Sequence, residues 1–513
     1  MRIKLNFVTV LFLVSATAYG QVSQVRFEIP MAHNQNAGYS TVSLGDDGLL
    51  LYALAFAKDQ NFIDLVRLDT AFKEVWKGVI PVERNIYIAA SKEFDGKIHF
   101  LLKDRFNPLA EFLFLSISEK NGAYSVRSIK TLLAMNPTHF IVTREAALIG
   151  GYFANRPLVL YFGFSNNQSR ILPGFFNEPG ELNQIRANND GSIDVVVSGK
   201  NPYRKRSLWI RNYDKYGGLT KTTWLEPDED KILTFGRTVS QSGGHQIVAG
   251  VYGRFTEYSR GIFIANIDPE GNYTIKYYNY ADLEHFFNYM KAKREKRIKE
   301  RIQRRKIRGK KIKFNYRLMV DELVSNGDQV VLLGEAFYPH YSYPNNSSMF
   351  GARSFYATPL RYGPGPASTA YSRGDLVFDG YQYTHAVVIG FDKAGNLKWD
   401  NSFEINDVRT MELQQFVKIH PEQDKVSLVY LFDNVIRTKV IKGNEVVEGK
   451  SYDQLHTGFS DDLVRERDTR DTKLEHWYGG TFYASGIQNI RKRRDDGVNI
   501  ARRVFFVNKI AYK

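Results

Sequence analysis

The sequence predicts an all-β fold, a β-propeller of seven or eight blades with one long inserted basic helix. Three observations lead there. Aromatic residues make up 14% of the 513 residues, and with many Val and Ile they supply the side chains of pleated, half-buried strands. Nearly the whole length is short apolar runs separated by Gly, Asn and Asp, with a single long helical pattern. A strand-turn-strand unit also recurs at a near-constant interval, as propeller blades do.

In chain order, residues 1–20 (MRIKLNFVTVLFLVSATAYG) have the three parts of a secretory signal peptide. These are Arg2 and Lys4, the apolar run from Phe7 to Val14, and a small-x-small site at Ala18-Tyr19-Gly20. The apolar run is too short to span a bilayer, and no later segment reads as a membrane helix. The absence of Cys removes disulfides, thiolate catalysis and cysteine-bound zinc. Residues 21–513 are therefore expected to be an exported propeller of a Gram-negative envelope, periplasmic, associated with the outer membrane or at the cell surface.

The recurring unit reads LDTAFKEVW at 68–76, YDKYGGL at 213–219, IDPEGNY at 267–273 and FDKAGNLKW at 391–399. Weaker copies stand at Ser118 to Gly122 and Ile441 to Asn444, and Phe164 to Asn167 is a degenerate one. Each joins an apolar strand, through a polar turn that usually supplies Gly for positive φ, to a strand whose aromatic packs inward. Asp69 to Glu119 is 50 residues, Asp214 to Asp268 is 54 and Asp392 to Lys442 is 50. The 124 residues from Asp268 to Asp392 break the period, and they contain both the basic helix and a Tyr/Gly/Pro-rich stretch. The early strand Val25 to Ile29 is expected to close the ring against the terminal hairpin ending in Val504 to Ile510.

The D-x-x-G-x-hydrophobic-x-W turn resembles the blades of quinoprotein-like and related bacterial envelope β-propellers. That resemblance implies a propeller over most of the mature chain. Five Trp are too few for a tryptophan-docked blade array, and no cofactor-binding cluster stands out. The resemblance thus implies the fold and neither a dehydrogenase nor a cofactor.

Reaction chemistry has no anchor in the sequence. The ten His are dispersed without metal-ligand spacing, and no G-x-S-x-G elbow, P-loop or EF-hand loop occurs. Gly45-Asp46-Asp47-Gly48 and Asp190-Gly191 read as strand-initiating turns. Asp461-Asp462 and Glu226 to Asp230 read as solvated loop acids, since nothing fixes an acid–base separation. No catalytic or metal-binding residue is assigned. Propeller sites draw residues from several blades, so a polysaccharide hydrolase or lyase stays open as the alternative, with clustered acids and Tyr in the central channel as its signature.

Two segments stand above this background. The tract from Lys291 to Lys313 holds 14 Lys or Arg and 2 Glu, +12 of the chain's +15. A helix is expected from about Ala281 to Arg308, about 40 Å long at 1.5 Å per residue, within an insertion spanning 279–314. Asn279 caps its start, Gly309 ends it, and Leu283, Phe287, Met290, Ile298 and Ile302 form its apolar seam. It reads either as a solvated excursion packed by its first turns or as an anion-binding arm. In the second reading Lys291, Arg294, Arg297, Arg301, Arg304, Arg305, Arg308, Lys310 and Lys311 bind the partner. The other segment, expected to be an insertion loop over 337–384, interleaves Tyr338, Tyr341, Tyr343, Tyr356, Tyr362, Tyr371, Tyr381 and Tyr383 with Pro, Gly and Ser. That mixture suits an adaptable recognition surface or a lid on the propeller's own face. Both insertions fall in neighbouring blades. The expected function is a non-catalytic scaffold that binds an envelope protein, an outer-membrane complex or an anionic polymer, with peripheral membrane contact allowed. Export argues against nucleic acid.

Overall fold

The computed structural model describes residues 23–32, 38–56, 60–342 and 377–511, except 108, 110, 132, 176–178, 202, 229, 423–424, 460, 465–471 and 494–498. Residues 1–20 therefore lie outside the described residues. Eight antiparallel sheets follow one another along the chain. The chain is an eight-bladed β-propeller.

The innermost strands of blades 1 to 8 are Ser40–Ser43, Ile86–Phe94, Asn136–Val142, Gly180–Ala187, Ile232–Ser240, Arg317–Asn326, Lys418–Glu422 and Lys473–His476. Each opens a four-strand meander running outward. In blade 8 the fourth strand comes from the other end of the chain. Ser23–Met31 pairs antiparallel with Asn499–Ala511, with Val25 opposite Lys509 and Ile29 opposite Phe505. The expected closure is the observed one.

Why the sequence reads as continuous apolar runs is visible in the packing. Eight clusters of buried side chains each join two adjacent blades. In blade 2, Phe100 and Leu102 face blade 1 while Leu101 faces blade 3. A middle strand thus buries both faces, so the period-2 alternation of a one-sided sheet disappears.

The repeated turns all join the third strand to the outer one. Asp69, Asp214, Asp268 and Asp392 each accept a backbone N–H four residues on, at 2.7–2.8 Å. The residue in the left-handed region is Gly217, Gly271 or Gly395, and Asn167 fills it in the degenerate copy. Blade 1 has no Gly there, and Phe72 takes φ 63° instead. Its ring stacks on Trp477 of blade 8 at 5.8 Å, while Trp477 Nε1 donates to Gly48 O of blade 1 at 3.0 Å. The strained turn is therefore part of the seam that holds the first and last blades together.

Trp477→Ala removes a buried ring at this seam. It should lower stability by about 3–5 kcal/mol, measured by urea unfolding. A midpoint equal to that of the unaltered protein would show that the seam does not hold the ring.

Candidate binding face

The basic insertion joins the outer strand of blade 5 (Tyr273–Asn279) to the inner strand of blade 6. The expected continuous helix over 281–308 is broken. Tyr280–Asp282 is one 3₁₀ turn with Asn279 and Asp282 in a capping box, and the α-helix, α1, spans Ala292–Ile307. The break has a definite cause. Backbone N–H groups of Glu284 and His285 donate to the Asp400 carboxylate at 2.8 and 2.7 Å, so they are aimed at blade 6 and not along a helix axis. Leu283 and Phe287, read as helix seam, instead belong to a buried aromatic wedge.

That wedge centres on His385 of blade 6. Tyr289 stacks face to face on its imidazole at 3.8 Å, and Phe286 meets it edge-on at 4.8 Å. Burial pushes His385 down to about 3, so the ring is neutral and packs as an aromatic. α1 folds back over the wedge. Ile302 is buried, Ile298 packs partly against the same cluster, Lys299 Nζ reaches Asn288 Oδ1 at 3.1 Å and Lys306 pairs with Asp282 at 3.1 Å. The insertion is thus anchored along its length, more firmly than a solvated excursion would be.

The outward side of α1 is cationic. Lys293, Arg297, Arg301, Arg304 and Arg308 are exposed at three- and four-residue steps, about 4.5–6 Å apart along the axis. Among the described residues, none of these five has an ion-pair partner, whereas Lys299, Lys306 and Lys311 do. Of the residues proposed from sequence, Lys291, Arg294, Lys310 and Lys311 are also exposed. Arg305 is half-buried and donates to Lys311 O at 3.4 Å, so it serves the arm's own fold.

The Tyr-rich segment is not loop throughout: its two ends, 337–342 and 377–384, are strand. Gln329–Ser342 and Val377–Asp392 pair beyond the blade body, with Tyr338 opposite Gln382 and Tyr341 opposite Phe378. Tyr338 and Tyr341 are exposed, Tyr381 is half-buried and Tyr383 is buried. Tyr343, Tyr356, Tyr362 and Tyr371 lie outside the described residues.

Strand order decides which features share a face. Antiparallel strands cross the disc alternately, so the second-to-third hairpins and the blade-to-blade links emerge on one side. The basic insertion is such a link and the Tyr-rich segment is such a hairpin. Lys311 in addition comes within 3.9 Å of Asp230 in the preceding link. The repeated Asp turns close the opposite face.

Of the loop acids, the Asp462 side chain is buried, whereas Asp228 and Asp230 are exposed, as expected of solvated acids. Asp462 pairs with Arg502 at 2.6 Å, and Asp228 pairs with Lys231 at 2.6 Å. A pair that sequence did not reveal lies in blade 6. The inner strands of blades 2 to 6 each carry a bulge, at Ala89, Thr138, Asn183, Thr234 and Asp321. Only the last places a carboxyl there. Beside it Glu335 accepts the N–H groups of Phe416 at 3.0 Å and Val417 at 2.5 Å, fastening blade 6 to the link into blade 7. Burial pushes Glu335 up to about 8, against those donors and Lys418. Burial and the Glu335 charge push Asp321 well above the carboxylate range, against Arg237 and Lys418.

Two other polar groupings are built by the ring. His420 and His476 of blades 7 and 8 stack at 4.8 Å, yet His476 Nε2 is already hydrogen-bonded to Gly479 O at 2.7 Å. Among the described residues no group of His, Asp and Glu has metal-binding geometry. A cleft of about 340 Å³ at the seam of blades 8 and 1 is lined by Tyr39, Thr41, Tyr52, His476, Tyr483 and Ser485, among others. Tyr39 donates to Asp64, and Thr41 to the Tyr483 hydroxyl at 3.3 Å. Lys473 and Glu475 line the cleft as well, so it holds both hydrogen-bonding and charged groups.

The sequence matches no protein-family model and no curated protein. Among solved structures, the chain is similar to the polysaccharide lyase Uly1, with TM-score 0.40 and 10% identity over 83% of this chain and 90% of that one. The β-propeller domain of the Trilobed protease from Pyrococcus furiosus gives 0.36 and 10%, over 82% and 98%. The Dos1 propeller gives 0.39 and 10%, over 81% and 89%. At such identities the likeness extends to the fold alone.

The acid pair has a pH signature. Glu335, ordinarily near 4.5, holds its proton to about 8 in the folded chain. Between those values the folded state binds more protons than the unfolded, so stability should fall as pH rises from 4.5 to 8. Asp321→Asn combined with Glu335→Gln should flatten that fall in unfolding midpoints measured across this range. An unchanged slope would contradict the assignment.

Proposed function

We propose that this protein is a non-catalytic binding scaffold that recognises an anionic partner through α1 and the loop face from which it emerges. The observation that carries the reading is the outward cation row Lys293, Arg297, Arg301, Arg304 and Arg308 on an arm whose inner side is tied to blades 5 and 6. A flexible tail would lose entropy on binding. A packed arm presents its charges already spaced, and a row of one sign attracts an anionic surface. With residues 1–20 acting as an export signal, the partner belongs to a bacterial envelope. A polysaccharide hydrolase or lyase is the less supported reading, because Asp321 and Glu335 are enclosed and Glu335 already holds two backbone donors.

The test uses dextran sulfate as the anionic probe. The protein should bind it with an affinity that falls steeply from about 50 to 200 mM salt. Replacing Arg297, Arg301, Arg304 and Arg308 by Gln should weaken binding by about tenfold or more and leave the thermal midpoint nearly unchanged. Equal binding by that variant would refute the arm's role.

A further inference from the structure

We infer that the arm-bearing face docks flat on an anionic lipid bilayer, with aromatic hairpin tips entering the headgroup region. This rests on the reading of α1 as an anion-binding element and names its partner.

The observation is an asymmetry between the two faces. The second-to-third hairpins of five consecutive blades each present an exposed aromatic: Phe56, Phe106, Phe153, Tyr203 and Phe255. Their exposures are 64, 75, 37, 85 and 69%. None belongs to the eight interblade clusters, so none is there to fill the core. Exposed Arg105, Arg156, Arg204 and Arg254 stand within three residues of four of them. Ile307, 84% exposed, adds an apolar side chain between Arg304 and Arg308 on the arm itself. On the opposite face, in and beside the third-to-outer turns, Val75, Tyr124, Tyr216, Leu219 and Val446 are exposed, so aromatics stand there in two blades, not five in succession.

Geometry selects the occupant. The tips belong to successive blades, so they are spread around the disc and do not line one groove. A polymer strand or a compact protein epitope meets one sector of such a ring. A plane meets all of it. The chemistry agrees with a lipid plane, because aromatic rings settle at the headgroup level and clustered cations are drawn to anionic lipids. Isolated exposed aromatics are ordinary. The same hairpin carrying one in five blades running, each time on the face that bears α1, is not.

The absence of Cys allows single labels without background. Phe106→Cys, Phe255→Cys and Tyr216→Cys would each carry an environment-sensitive NBD group. Vesicles would be phosphatidylcholine alone, or phosphatidylcholine with an equal part of phosphatidylglycerol. Labels at 106 and 255 should brighten and shift to the blue with the anionic vesicles only, and the label at 216 should not respond. Combined Phe56→Ser, Phe106→Ser, Tyr203→Ser and Phe255→Ser should weaken vesicle binding by about tenfold or more while dextran sulfate binding persists.

Wild-type vesicle binding by the Ser variant, or an equal response at 216, overturns the docking geometry. Failure of the protein to bind vesicles, with arm-dependent dextran sulfate binding intact, overturns the bilayer as partner and leaves the scaffold reading standing. Loss of both overturns both.

Discussion

Ring closure is the constraint on which the structure depends. Every blade has two apolar faces, and a sheet of this kind has no stable end. The terminal blades must therefore cover each other. The chain achieves this with Ser23–Met31, which adds an outer strand to the C-terminal blade and thereby joins the two ends of the chain in one sheet. Arg26 reinforces the splice, donating to Gln488 at 2.8 Å and Asn508 at 3.0 Å. The Trp477–Phe72 stack and the Lys509 Nζ bond to Thr70 O at 3.1 Å then hold blade 8 against blade 1.

Once the ring is closed, the loops carry little of the packing load and are free to differ in chemistry. The third-to-outer turns of blades 1, 4, 5 and 6 repeat one design, because each reverses two twisted strands in five residues and an Asp carboxylate satisfies the turn's N–H groups. The links and hairpins on the other side are not so constrained. There the chain places its long insertion, its extended blade-6 hairpin and its aromatic tips. The insertion departs furthest from the blade pattern, and it is stabilised by three blade-6 contacts: Asp400 at its first turn, His385 under its aromatic wedge, and the shared core around Ile302.

The fold was legible in the sequence where local chemistry fixes local geometry. The Asp-x-x-Gly turns and the closing strand are of that kind, and blade 1 was recognisable even without its Gly. The ends of the helix were not legible. Asn279 is a true cap, but of a single 3₁₀ turn, because Asp400, more than 110 residues away, captures the N–H groups that would continue it. The Asp321–Glu335 pair was likewise invisible, since it depends on a bulge and on a link that arrives 80 residues later. The cationic tract could be read at once, whereas the aromatic tips could not. Phe56, Phe106, Phe153, Tyr203 and Phe255 look like strand residues until strand order assigns them all to one side.

Hydrogen exchange read by mass spectrometry tests the central claim most directly, with the protein alone and with anionic vesicles. The account predicts protection confined to 292–313 and to the hairpins around Phe106, Tyr203 and Phe255. The turns at Asp69, Asp214, Asp268 and Asp392 should exchange as before. Protection of those turns, with the arm and hairpins unchanged, would place the binding surface on the opposite face and contradict the account.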